Sequence, residues 1–206
     1  KEYRRQRQMC IRDSNGCKRN IDYAASMGCG IIIGFLKGGP GSDREVSERL
    51  FLESMLELKP YIEEKKVQVL IEATNHKEAS IIRTLKEGAH VINFLDCPFI
   101  QLLADTYHMN IEEPSLVDSL SEYMSYYPHL HISDDNRAYP GLGSLDFTAI
   151  YRKLMECGYK GTVAVEGNIQ HGLLEDTQIC AAYLHKVCSG LHTPSRVPVS
   201  YTHLTL

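Results

Sequence analysis

Four side chains able to hold a hard metal ion recur at matching places along the chain. Glu72 directly follows the run VQVLI, Asp105 follows IQLLA, His131 lies within LHIS, and Glu166 follows TVAV. Two Glu, one Asp and one His form a mixed oxygen and nitrogen donor set that suits Mn2+, Mg2+ or Co2+ better than a thiolate-rich zinc site would. One divalent ion, with Mn2+ first in order, is therefore the expected cofactor. A single strand-end Glu is more often structural or solvated than functional. Four donors in successive units point to a shared site.

The elements that must carry these donors are short aliphatic runs: Ile31 to Leu36, Val67 to Ile71, Ile100 to Ala104, Leu130 to Ser133 and Thr162 to Val165. Their β-branched content reads as buried strands. Helical spacing is predicted over Val46 to Glu64, Ala79 to Leu95, Leu116 to Tyr127, Phe147 to Cys157 and Leu174 to Leu191, with an earlier helix around Ile21 to Met27 closed by Gly28. Alternating strand and helix implies an α/β fold with parallel strands. Periodicity alone fits either an open doubly wound sheet or part of an eight-stranded barrel; in a barrel, the strand ends bearing the four donors would converge on one face.

Three ordered motifs narrow the choice. DTYHMNIEE from Asp105, HISDDNRAYPGLGSLDF from His131 and GYKGTVAVE from Gly158 together resemble the sugar (phosphate) isomerase/epimerase family of the xylose-isomerase-like TIM-barrel superfamily, closest to ketose 3-epimerases of the D-tagatose/D-psicose type, with hydroxypyruvate-isomerase-like enzymes next. The similarity spans nearly all of residues 15 to 190. It implies an incomplete (β/α)8 TIM barrel over 15–196, with strands four to eight present and the first three missing, so that closure fails and strand edges are exposed.

The resemblance also implies roles. Glu72, Asp105, His131 and Glu166 fall on the family's metal ligands, and Glu72 and Glu166 on a pair of acid/base carboxylates flanking the sugar. A ketose proton beside a carbonyl is weakly acidic, so a metal would stabilise the enediolate while one Glu removes the proton and the other returns it. Return to the same carbon inverts it, as in a ketose 3-epimerase; return to the neighbouring carbon gives an aldose–ketose isomerase. His108 and Arg137 match positions that hydrogen-bond substrate oxygens, Glu78 matches a carboxylate that helps fix a substrate hydroxyl or a neighbouring group, and Asn75 is read as structural or as a support behind the site. The stretch EATNHKE from Glu72 departs from the epimerase pattern, which more often has Pro and Leu after the Glu and Arg after the Asn.

Rival readings are weaker. GGPGS from Gly38 lacks the Lys and Ser/Thr of a P-loop and reads as a flexible loop. Tyr126, Tyr127 and Tyr139 are not interleaved with a basic patch and read as packing residues. Asp134 and Asp135 read as a solvated loop pair, and Asp146 as a helix N-cap. His129 and His131 would share a strand face; Pro128 predicts that the strand starts only after His129. A DNA-repair endonuclease of the same superfamily would share Asp105 and His108 but needs an Asp-x-His where Asp135, Asn136 and Arg137 stand.

Composition is that of an ordinary globular domain with a buried core: 206 residues, 43% hydrophobic and no Trp. No apolar stretch approaches the roughly 20 residues that span a bilayer, and no apolar run of signal-peptide length follows the basic start. Seven Cys without a CxxC pair suit a reducing compartment. The expected partner is a small ketose or ketose phosphate in the cytoplasm, with no nucleic acid and no membrane, and a homo-oligomer is expected of the full-length parent.

The termini read differently from the rest. Gln8 to Ser14 (QMCIRDS) and Pro198 to Leu204 (PVSYTHL) can be back-translated into reverse complements of about nineteen nucleotides, as expected of an inverted transposon-end adapter translated at both ends. Residues 1–14 and 197–206 are accordingly set apart from the fold. Without them, 17 basic groups face 24 acidic ones, a net charge of −7, which disfavours a general nucleic-acid binder.

Overall fold

A computed structural model describes residues 16–191; the two stretches assigned to adapter sequence lie outside the described residues. Two compact units divide the chain after Leu102, within a strand that belongs to both.

The first unit opens with helix α1 over 16–27. Strand β1 (Ile31–Ile33), helix α2 (Arg44–Lys65), strand β2 (Val69–Glu72), helix α3 (Leu85–Leu95) and the start of β3 (Ile100–Asp105) follow. β1 and β2 are parallel, with Ile31 opposite Val69 and Ile33 opposite Ile71. The Asp43 side chain caps α2 by accepting the Val46 N–H, and the helix ends at Lys66 in the left-handed conformation. Its buried residues Phe51, Met55, Leu58 and Ile62 recur every three or four positions and form one apolar face. Thr84 caps α3, and Gly88 lets that helix approach the sheet, since a Cβ there would lie 2.6 Å from a Leu102 methyl.

The second unit takes the end of β3 and adds helices α4 (Thr106–Glu112) and α5 (Leu116–Glu122), a 3-10 turn at Met124–Tyr126, strand β4 (His129–Ile132), helix α6 (Phe147–Glu156), strand β5 (Thr162–Val165) and helix α7 (Leu173–Gly190). β3 and β4 are parallel with Asp105 opposite His131, as are β4 and β5 with His129 opposite Thr162. The strand order is β1-β2-β3-β4-β5, the parallel α/β arrangement expected of strands joined by helices. Among the described residues no helix is long and apolar enough to cross a membrane.

Several elements differ from expectation. The helix predicted from Ala79 begins only at Leu85. Ile82 has φ +54°, and its carbonyl accepts the Thr74 N–H while Ser80 N–H donates to Gly38 O; these bonds hold 79–84 as a loop. The helix predicted over Leu116 to Tyr127 breaks at Tyr123 into a 3-10 turn. Helix α4 was not expected; Asp105 creates it by accepting the N–H groups of Tyr107 and His108. β4 already includes His129, because pairing with β5 extends back to the Pro128 carbonyl, which accepts the Thr162 N–H. Asp146 caps α6 as expected, accepting the Ala149 N–H at 3.0 Å.

Candidate metal centre

In the second unit three of the four expected donors converge. Asp105 closes β3 with its side chain fully buried. One carboxylate oxygen is spent on capping α4, accepting the Tyr107 N–H at 2.8 Å. The other accepts from Arg137 Nη1 at 2.6 Å and lies 3.9 Å from His131 Nδ1. His131 is brought beside Asp105 by the parallel register. Its Nδ1 lies 2.9 Å from Glu166 Oε2, and Glu166 directly follows β5, its own N–H bonded to Ile132 O. Ligand-capable atoms of Asp105, His131 and Glu166 all lie within 4.8 Å of one another. His129 shares the face of His131, their ring centroids 5.0 Å apart, as period-two geometry requires.

Arg137 spans two of these carboxylates. Nη2 donates to Glu166 Oε2 at 2.6 Å while Nη1 reaches Asp105, and the guanidinium lies 5.0 Å from the centre of the Tyr107 ring. The residue adopts φ +63°, a conformation uncommon outside Gly, Asn and Asp. Asp134 supports the loop that imposes it. Its carboxylate accepts N–H groups from Asp135, Gly141 and Leu145 at 2.8 to 3.1 Å. Asp134 is therefore not the solvated loop residue expected from sequence but a buried loop organiser, at 1% exposure. A Cβ at Gly143 would meet the Asp134 and Asp135 carboxylates at 2.5 and 2.3 Å, so the loop closes only around a glycine.

The electrostatics follow from these contacts. The hydrogen bond from His131, with Arg137 close by, holds the Glu166 carboxyl down at about 2 against the cost of burial. Burial raises the Asp105 carboxyl, opposed by Arg137 and His131. Two carboxylates and an imidazole this close, with a guanidinium drawn against them, make a locus that favours positive charge. Their oxygen and nitrogen donors fit a hard divalent ion.

His108 sits buried in the first turn of α4, its N–H 3.4 Å from Asp105 Oδ1 and its ring edge-on to Tyr107. It is thus held beside the cluster in sequence and space. Tyr107, which stacks on Arg137, escaped the sequence reading. Its only signal was its place between two expected site residues.

In the first unit, Glu72 closes β2 and is buried. Its backbone carbonyl accepts a hydrogen bond from Lys37 Nζ, which also donates to Thr74 Oγ1 at 3.0 Å. Lys37 is fully buried; burial pushes its ammonium down to about 8, against the opposing pull of Glu72, Glu78 and Glu87. Sequence reasoning passed over Lys37 because it opens a glycine-rich loop. Glu78 is half-buried, its N–H bonded to Asn75 O and its Oε1 3.4 Å from Asn75 Nδ2. Asn75 also accepts the Lys77 N–H at 2.9 Å, the structural role expected of it.

Comparison with known proteins agrees with the fold. The family described as "Xylose isomerase-like TIM barrel" matches residues 12–182. A 3-dehydro-D-guloside 4-epimerase of Escherichia coli is 37% identical over 102 residues, covering 50% of this chain and 39% of the relative. An L-ribulose 3-epimerase of a Methylomonas species is 30% identical over 138 residues, covering 67% of this chain and 48% of the relative. The chain therefore spans about half or less of the length of the curated relatives it matches. Among solved structures, a 3-keto-D-glucoside 4-epimerase from E. coli superposes with TM-score 0.75 at 26% identity, over 85% of this chain and 70% of the other.

Proposed function

The chain belongs to the xylose isomerase-like TIM-barrel family, and from that premise we propose that it carries the proton-transfer site of a metal-dependent sugar epimerase acting on a small ketose, free or phosphorylated. The convergence of Asp105, His131 and Glu166 at the ends of three neighbouring parallel strands is the observation that carries this reading. Glu72, the last residue of β2, is the fourth ligand. β2 is the next strand along the sheet, and like β3 it ends on a carboxylate. When bound, a divalent ion, Mn2+ first, would polarise the sugar oxygens and stabilise the enediolate charge.

The chain's own residues do the rest. Glu166 stays ionised at neutral pH under its contacts with His131 and Arg137, the form needed to hold a metal ion or to act as a base. Glu72 is its partner, one carboxylate removing the proton beside the carbonyl and the other returning it to the opposite face. Arg137 presents a planar cation suited to paired sugar oxygens, and His108 and Glu78 contribute further hydrogen bonds. The burial of Glu72 and His108 strengthens the interactions these two make.

The 37% match to a 4-epimerase favours a second reading within the same chemistry: in a 3-keto sugar, C4 is also adjacent to the carbonyl, so the same pair of carboxylates would invert C4. The DNA-repair reading gains nothing, since Arg137, which pairs with Asp105 and Glu166, stands where that reading needs a His ligand. The test is to incubate the Mn2+-loaded protein with ketoses and 3-keto glycosides and resolve the products chromatographically. An epimeric product lost on chelation and restored by Mn2+ supports the reading. Turnover indifferent to chelation overturns it.

A further inference from the structure

Among the described residues of the first unit, Lys37 is the one charged side chain that is wholly buried without a role in the chemistry above. Its ammonium donates to the backbone carbonyl of Glu72 and to Thr74 Oγ1. Thr74 N–H in turn donates to the carbonyl of Ile82, whose backbone is left-handed, and Ser80 N–H donates to the Gly38 carbonyl beside Lys37. The loop after β1 is therefore stitched to the loop after β2 at both ends. Gly38 is required for this closure: it has φ +85°, and a Cβ there would lie 2.5 Å from Ser47 Oγ and 2.6 Å from Ser80 Oγ.

Burying an ammonium is costly unless its donors are satisfied. A residue that served only to fill space here would be apolar. The two bonds instead fall on the carbonyl of Glu72 itself and on the Thr74 side chain two positions later, and so tie down the chain where it leaves Glu72. β-branched Ile82 at positive φ is a strained conformation that persists only where its surroundings enforce it.

We propose that Lys37 is a positioning residue: it clamps the peptide of Glu72 so that this carboxylate is held for metal binding and proton transfer. The inference rests on the reading of Glu72 as ligand and acid/base. Supporting groups of this kind typically change metal affinity or activity by about 10–100-fold when removed.

The test compares Lys37→Met, which keeps the length and removes the donors, with Lys37→Arg and Thr74→Val. Mn2+ affinity is read by electron paramagnetic resonance, and kcat and KM on the best ketose are measured separately. Lys37→Met is expected to bind Mn2+ about 10–100-fold more weakly and to lose kcat with little change in KM, while Lys37→Arg recovers part of both. Should Lys37→Met not fold, Thr74→Val, which keeps the ammonium and removes one acceptor, is expected to show a smaller loss in the same two quantities. A folded Lys37→Met, or Thr74→Val in its place, with the parent's Mn2+ affinity and kcat overturns the clamp, even if its melting temperature falls. A parent protein that neither binds Mn2+ nor turns over any ketose overturns the epimerase reading, and this inference with it.

Discussion

Arg137 Nη1 lies 2.6 Å from Asp105 Oδ2, and the same guanidinium reaches Glu166 Oε2 at 2.6 Å. One cation thus ties together the ends of β3 and β5 across His131. A planar fork can do this with two nearly parallel donors; an ammonium offers only a point charge. Arg137→Lys is therefore expected to raise KM for the sugar by roughly tenfold, in line with one lost charge-assisted hydrogen bond. Steady-state kinetics on the metal-loaded protein checks this, and an unchanged KM would free Arg137 of a substrate role.

Replacement of His131 by Ala removes the only imidazole among the three converging donors of the second unit. Mn2+ binding should weaken by more than the roughly 10–100-fold typical of a supporting group. Titration calorimetry on the metal-free protein gives the answer, with circular dichroism as a control for folding.

These two expectations draw on residues that were legible in sequence, and it is instructive which others were not. Thr162 to Val165 was readable as a strand to the residue because an apolar β-branched run is bounded by Gly161 and Glu166. Asp105, His131 and Glu166 were readable because each stands at or near a strand end, where parallel α/β folds gather function. Helix α4 was hidden, since its start depends on Asp105 acting as its own cap rather than on any apolar periodicity. The loop at 79–84 was mistaken for helix because its apolar spacing is helical, whereas Ile82 and Thr74 bond each other across it. Lys37 and Asp134 were missed for a shared reason: charged residues in glycine-rich loops are usually solvated, and only tertiary contacts reveal that these two are buried.

Gly143→Ala should disrupt the Arg137 loop, because the added methyl meets the carboxylates of Asp134 and Asp135 at 2.5 and 2.3 Å. Overpacking of this sort costs about 1–3 kcal/mol. The expected result is a lower urea midpoint together with a raised KM; a variant with the parent's midpoint and KM would show that the loop yields without loss.

The His129 imidazole is lowered to about 4, chiefly by burial and further by His131 nearby. A base whose folded value is depressed adds stability that is complete above its ordinary value near 6.5 and is lost as pH falls toward the folded value. Between pH 6.5 and about 4, the parent should therefore lose stability faster than His129→Gln. Urea midpoints measured at intervals across that range test the sign, and parallel slopes for the two proteins would contradict it.

Proton transfer beside a carbonyl is the central claim, and exchange with solvent reads it directly. The Mn2+-loaded protein is incubated with its ketose in D2O and the label is located by NMR. Deuterium at C3 of both the substrate and its epimer, abolished in Glu166→Gln, is the predicted result. Label at C1 or C2 with aldose formation, or no exchange at any carbon next to a carbonyl, would contradict the account.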